Sequence, residues 1–199
     1  LNGQYTDLLE RAEQQANTFQ FNHAIKLFLQ AEELCEANSL VDCNNLKMIT
    51  GLRNAYFEKG KSKHQRQDYE GAIRSFRNSQ AVIERYKPIN TNYLLQDIRN
   101  VIALSGKKII EQKAVEANKA IERNDLSEAK RIKENIKVLE AEYFLTNDKD
   151  VDNLIGNVGE NIAIQTCTNA KNRFGSDWEQ VNVFAKKQDF IAAKGLLDN

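Results

Sequence analysis

Apolar residues recur every three or four positions along almost the whole chain, and strict alternation is absent. Leu126, Ala129, Ile132, Ile136, Leu139 and Tyr143 advance in this way, as do Val151, Leu154, Val158 and Ile162. A period near 3.6 lays such residues on one face of an α-helix, whereas a half-buried strand needs a period of two. One proline and nine glycines in 199 residues leave too little punctuation for many short strands and tight hairpins. The expected fold class is therefore all-α. With 41% hydrophobic and 28% charged residues, the composition is that of a chain able to bury a core, and it argues against wholesale disorder.

Twenty-eight basic residues balance twenty-eight acidic ones. No global field draws the chain to nucleic acid or to an anionic membrane, so partners have to be selected by local features. No apolar run approaches the roughly 18 to 20 residues that cross a bilayer, and no signal-peptide pattern precedes Tyr5. These features imply a soluble chain, with the cytoplasm as the expected location. The chain begins at Leu1 and stops in the apolar run Ala192, Ala193, Leu196, Leu197, where a helix still wants partners. A piece of a larger protein is the expectation. Cys35, Cys43 and Cys167 are odd in number and lack CxxC spacing, so they read as reduced thiols, fitting neither a disulfide framework nor a zinc site.

The chain also repeats itself. Gln20-Phe21-Asn22-His23-Ala24, Asp68-Tyr69-Glu70-Gly71-Ala72, Asp125-Leu126-Ser127-Glu128-Ala129 and Asp189-Phe190-Ile191-Ala192-Ala193 each place a large apolar residue three positions before an alanine. In three of the four the large residue follows an aspartate. An aspartate there caps the next helix by accepting a free backbone N–H, an effect of about 1 kcal/mol. The large side chain plugs the bend, and the alanine lets two antiparallel helices approach closely. Twelve positions before the alanines stand Ala12, Gly60, Ala117 and Val181, and four beyond them Phe28, Phe76, Lys133 and Leu197.

A small residue, a twelve-residue step to an alanine and an aromatic four further on resembles the tetratricopeptide repeat. Tyr56, Gly60, Tyr69, Ala72 and Phe76 carry the resemblance best. It covers residues 5 to 38 and 53 to 86, and more loosely 110 to 143 and 174 to 199. The alanines at 24, 72, 129 and 193 are not at the family's regular spacing, and the extra residues are themselves helical in pattern. Lengthened first helices over about 43–66, 91–123 and 149–173 follow. Pro88 closes the second hairpin, Thr91 caps the next helix, and Gly175-Ser176-Asp177 breaks the chain before Trp178. The resemblance implies one array of stacked hairpins, about 5–38, 43–86, 91–146 and 149–199, an α-solenoid of about eight helices.

Little in the chain suggests chemistry. His23 and His64, the only histidines, have no partner at metal-ligand spacing. Asp148, Asp150 and Asp152 open like a calcium loop, yet Asn153 stands where that loop wants glycine and Gly159 where it wants a glutamate. Acids at a helix N-terminus explain them better. GxSxG, HExxH and glycine-rich phosphate loops are absent from the sequence. The expectation is a non-enzyme without metal or cofactor.

The resemblance further implies an inner groove lined by the second, fifth, ninth and twelfth positions of first helices. In the second copy these are Asn54, Phe57, Lys61 and His64; the first contributes Leu9 and Glu13, and the third Asn118. Family members that clamp a peptide's C-terminal carboxylate need basic and amide groups where Leu9, Glu13, Ala114 and Asn118 stand, so that clamp is missing. A groove with Phe57, Leu9 and Lys61 suits an amphipathic or partly acidic protein segment. Lys59, Lys63 and Arg66 form a basic stripe beside Lys61 and His64, either a solvated face or a contact for an acidic peptide or phosphate. Nucleic acid is not expected without interleaved exposed aromatics, and Trp178 reads as a packing residue at the end of the array, the alternative being an anchor for a partner. The function implied is a scaffold or protein-interaction module with a protein or peptide partner. The alternatives are a coiled-coil or bundle spacer that dimerises its parent, and a regulatory module of a larger enzyme. Oligomeric state is open.

Overall fold

The computed structural model describes residues 2–37, 46–87, 92–187 and 190–197. Among them the regular structure is helical: α1 Asn2–Asn17, α2 Phe21–Glu36, α3 Leu46–Gln65, α4 Tyr69–Tyr86, α5 Asn92–Glu122, α6 Leu126–Glu142, α7 Lys149–Lys186 and α8 Phe190–Leu197. Cys43, Pro88, Thr91 and Asp189, to which the sequence assigns roles, lie outside the described residues. Contacts divide the chain into two units, residues 1–110 with 139–146 and residues 111–138 with 147–199.

Three of the helix-to-helix bends are built identically from the main chain. The N–H groups of Phe19, Gln67 and Asn124 donate to the carbonyls of Ala16, His64 and Ile121 at 3.0, 2.9 and 2.8 Å. Those of the next residues, Gln20, Asp68 and Asp125, reach back to Gln15, Lys63 and Ala120 at 2.9, 3.0 and 2.8 Å. This paired 5→2 and 6→1 arrangement is a Schellman terminator, which needs one residue in the left-handed region. Glycine usually fills that position, but here it is Phe19, Gln67 and Asn124, at φ 59, 63 and 60°. The end of α6 repeats the device with Phe144 at φ 61°, Phe144 N–H on Ala141 and Leu145 N–H on Glu140.

After the bend the next helix starts on a cap. Asp68 Oδ1 accepts from Gly71 N–H at 3.0 Å and Asp125 Oδ1 from Glu128 N–H at 3.0 Å, as the recurring aspartates predict. Gln20 occupies the same position before α2, and its side chain makes no cap bond. Asp148 caps α7, accepting from Asp150 and Val151 at 3.0 and 3.2 Å, so these acids serve a helix end.

In the first unit α1 packs on α2, α2 on α3 and α3 on α4. Ala12, Ala24 and Ala72 are fully buried, and two glycines of α3 receive aromatic rings. A Cβ on Gly60 would lie 2.5 Å from the Phe76 ring, and one on Gly51 would strike the Phe28 ring. Thus α3 is gripped by Phe28 of α2 and Phe76 of α4, the two aromatics that follow the alanines by four. Gly106 of α5 meets Tyr143 in the same manner. Buried Glu32, 6% exposed, accepts from Arg85 at 2.8 Å and from the Tyr86 hydroxyl. Burial and then the bond to Glu32 push the Tyr86 phenol well above its ordinary range.

The second unit buries Ala117, Ala120, Ala129, Ile132, Ile136, Val151 and Val158. Side-chain amides tie α7 to the α5–α6 bend: Asn161 donates to Asn118 at 3.1 Å and Asn169 to Asn124 at 2.6 Å. Two expectations are corrected here. Helix α7 runs straight through Gly175-Ser176-Asp177, since Asp177 pairs with Arg173 at 3.6 Å and Phe174 stacks on Trp178 at 6.5 Å. These i,i+4 contacts offset the roughly 1 kcal/mol that a helical glycine costs. Trp178 is 51% exposed and is not a core residue. The thiol reading is also corrected at one position: Cys35 is disulfide-bonded, while Cys167 is an exposed free thiol.

Candidate functional site

Two cavities of the first unit flank α3. One, of about 380 Å³, is bordered by Glu13, Ala16 and Asn17 of α1, by Phe21 and Phe28, and by Lys47, Thr50, Gly51, Asn54, Ala55 and Glu58 of α3. The other, of about 300 Å³, is bordered by Arg53, Asn54, Phe57, Glu58 and Ser79, and by Leu94, Asp97 and Ile98 at the start of α5. Asn54 and Glu58 border both, so the two lie side by side along α3. Lys47 to Glu58 spans about 17 Å of helix, enough to accompany roughly five residues of an extended peptide. A further cavity bordered by Leu29, Glu32, Leu52, Tyr56, Asn78, Ala81, Val82 and Arg85 opens on the α2 and α4 side.

The residues expected in the groove separate into four groups. Asn54, Phe57 and Glu13 border it, and Lys61 stands one turn beyond Phe57. Leu9 does not take part: at 3% exposure it belongs to the core formed with Ala12, Ala24 and Phe28, which corrects its assignment as a contact residue. Asn118 belongs to the second unit, where Asn161 donates to it. His64 is half-buried, its Nδ1 2.9 Å from Ser105 Oγ and its ring on edge to Tyr69 at 5.2 Å. Ser105 spends its own proton on the Val101 carbonyl at 3.0 Å, so His64 Nδ1 is the donor, and the imidazole joins α3 to α5 as a packing residue.

Groove charges are largely spent within the protein. Glu13 pairs with Lys47 at 3.1 Å, and Glu58 with Lys61 at 2.9 Å. The Lys61 ammonium also sits 5.9 Å over the Phe57 ring, and Phe57 leans on Phe76 with ring centroids 5.5 Å apart. Among the described residues Asp97 has no ion pair. Burial lowers the Arg53 guanidinium pKa, and the Arg53 carbonyl accepts from Ser79 Oγ at 3.0 Å. Sequence reasoning missed Thr50, Gly51 and Asp97.

Among the described residues no group of three His, Cys, Asp or Glu side chains is placed to hold a metal ion, and no helix is long and apolar enough to cross a membrane. Comparison with protein-family models, with curated proteins and with solved structures returns no match.

Proposed function

We propose that the chain is a protein-interaction module or scaffold built from tetratricopeptide-like helical hairpins. It takes a peptide or a partner helix along the α1–α3–α5 face and carries no catalytic chemistry. The observation that carries this reading is the pair of neighbouring cavities along α3, which share Asn54 and Glu58 as wall residues. A trough walled by helices and lined by the half-buried Ala16, Phe21 and Phe57 gives an occupant apolar contact with a few polar anchors, the pattern of helix-in-groove and peptide recognition. The identical terminators and the ring-on-glycine contacts support the repeat character.

Because Glu58 already neutralises Lys61, the occupant is an apolar segment with amide or hydroxyl groups for Asn54 and Thr50 and a basic group for Asp97. That differs from the partly acidic ligand implied by the sequence. Peptides selected from a random display library on the immobilised protein provide the test. Asn54→Arg, which fills the trough, should abolish binding of the selected peptides, while Asn78→Arg on the α2 and α4 side leaves it unchanged. Peptides that ignore Asn54→Arg, or that respond only to Asn78→Arg, would refute the assignment.

A second reading, a spacer that dimerises its parent, is favoured by α7 alone. This 38-residue helix exposes Ile164, Phe174 and Trp178. Light scattering that gave a dimer, converted to monomer by Phe174→Ser with Trp178→Ser, would favour it.

A further inference from the structure

The basic stripe does not enter the groove described above. Lys59, Lys63 and Arg66 of α3 instead border a separate cavity of about 320 Å³ that they share with Phe19, Phe21 and His23 of the first bend. Two of its charges are not spent. Lys63 is shared with Asp68 at 2.8 Å, and the His23 imidazole is engaged with Gln20 Oε1 at 3.0 Å. Lys59 and Arg66 have no carboxylate within ion-pair distance among the described residues. Lys59 is half-buried, and burial first, then the neighbouring Lys63 charge, lowers its pKa. A desolvated ammonium without a counter-ion is a cost that an incoming anion removes.

The rest of the cavity wall fits the same ligand. Gln20 leaves the start of α2 without the carboxylate cap that Asp68 and Asp125 give α4 and α6, and Phe21 and Asn22, the first residues of α2, border the cavity. Phe19, held in the left-handed conformation by the bend, presents its ring to solvent at 81% exposure, edge-on to Phe21 at 6.1 Å.

We propose that this cavity binds the phosphorylated serine or threonine side chain of a peptide, with Lys59 and Arg66 neutralising the phosphate and Phe19 holding an adjacent apolar side chain. Two unpaired cations match a phosphomonoester dianion, whereas a carboxylate neutralises only one of them. The free ring beside the cations selects a peptide over a bare ion.

The test is a titration of the isotopically labelled chain followed by amide chemical shifts. The probe is an acetylated Gly-phosphoSer-Phe-Gly peptide, run beside its unphosphorylated and Glu-substituted forms, inorganic phosphate and a short single-stranded oligonucleotide. Saturable shifts of the Phe21 and Asn22 amides are expected with the phosphopeptide, at least tenfold tighter than with inorganic phosphate. Lys59→Met and Arg66→Gln should each weaken binding about tenfold, with the remaining amides unmoved to show an intact fold. Asn54→Arg should leave it unchanged, which separates this site from the groove. Equal binding of the Glu peptide, of inorganic phosphate or of the oligonucleotide overturns the proposal, as does indifference to both cation variants.

Discussion

Replacing Gly60 by alanine tests the packing of the second hairpin more directly than any truncation. By backbone propensity alone the change stabilises a helix by about 1 kcal/mol. Against that, the new Cβ would meet three carbons of the Phe76 ring, at 2.5, 2.6 and 2.9 Å. Phe76 is 1% exposed and leans on Phe57, so the ring has no space into which to turn. Overpacking of this kind costs about 1 to 3 kcal/mol, and the net expectation is a loss of up to about 2 kcal/mol. Gly156 of α7 is the matched control. A Cβ there meets nothing within 4 Å, so Gly156→Ala should stabilise its own unit by about 1 kcal/mol. Urea unfolding followed by far-ultraviolet circular dichroism reads both, the first as a midpoint lowered by up to about 1 M for a slope of about 2 kcal/mol per M. Combining Gly60→Ala with Phe76→Leu should erase the penalty of the alanine, since the obstructing ring is gone. If Gly60→Ala stabilises as Gly156→Ala does, the ring does not rest on the glycine and the hairpin pairing is wrong.

Other substitutions probe the bends and the buried carboxylate. Gln67→Gly should raise stability by about 0.5 to 1 kcal/mol by relieving the left-handed conformation, measured by the same unfolding midpoint. Asp68→Ala should lower it by about 1 kcal/mol through loss of the α4 cap. The bond from the Lys63 ammonium, followed by that from Gly71 N–H, holds the Asp68 carboxyl below the usual carboxylate range. Its contribution is therefore complete above the unfolded value of about 3.9 and is lost as pH falls through the lower folded value. An acid titration of stability should show that limb flattened in Asp68→Ala. Tyr86→Phe removes one of two donors to buried Glu32 and should cost about 1 to 2 kcal/mol at neutral pH.

Helix type and the places where the chain turns back were legible because they depend on patterns of residue class. The apolar period marks the helices, and Asp68 and Asp125 mark two starts by the cap each provides. The small residues at 12, 24, 60 and 72 announced close helix crossings, and Phe28 and Phe76 announced the rings that fill them. The left-handed terminators were not legible, because Phe19, Gln67 and Phe144 carry no bias toward that conformation and are held there by main-chain bonds. The run through Gly175-Ser176-Asp177 was misread for a related reason. Glycine and serine signal a break locally, but the Phe174–Trp178 stack and the Arg173–Asp177 pair span the spot from outside the tripeptide. At the candidate groove, Asn54, Phe57 and Glu13 came from the resemblance. Leu9 failed because helical position does not decide which face of α1 the neighbouring α2 covers. The charges misled because Lys61 and Glu58, three residues apart on one helix, cancel each other.

At residue 67 the chain reverses course by adopting, for a single step, the backbone geometry natural to an amino acid of the opposite hand. Residues 19, 124 and 144 do the same. A D-glutamine installed at position 67 by chemical synthesis would lie at ease where the L-residue is strained, although the same inversion one turn earlier would disrupt α3. Among the described residues Lys87 and Asn147 also take positive φ, so the corners of this otherwise right-handed fold are compatible with mirror-image building blocks.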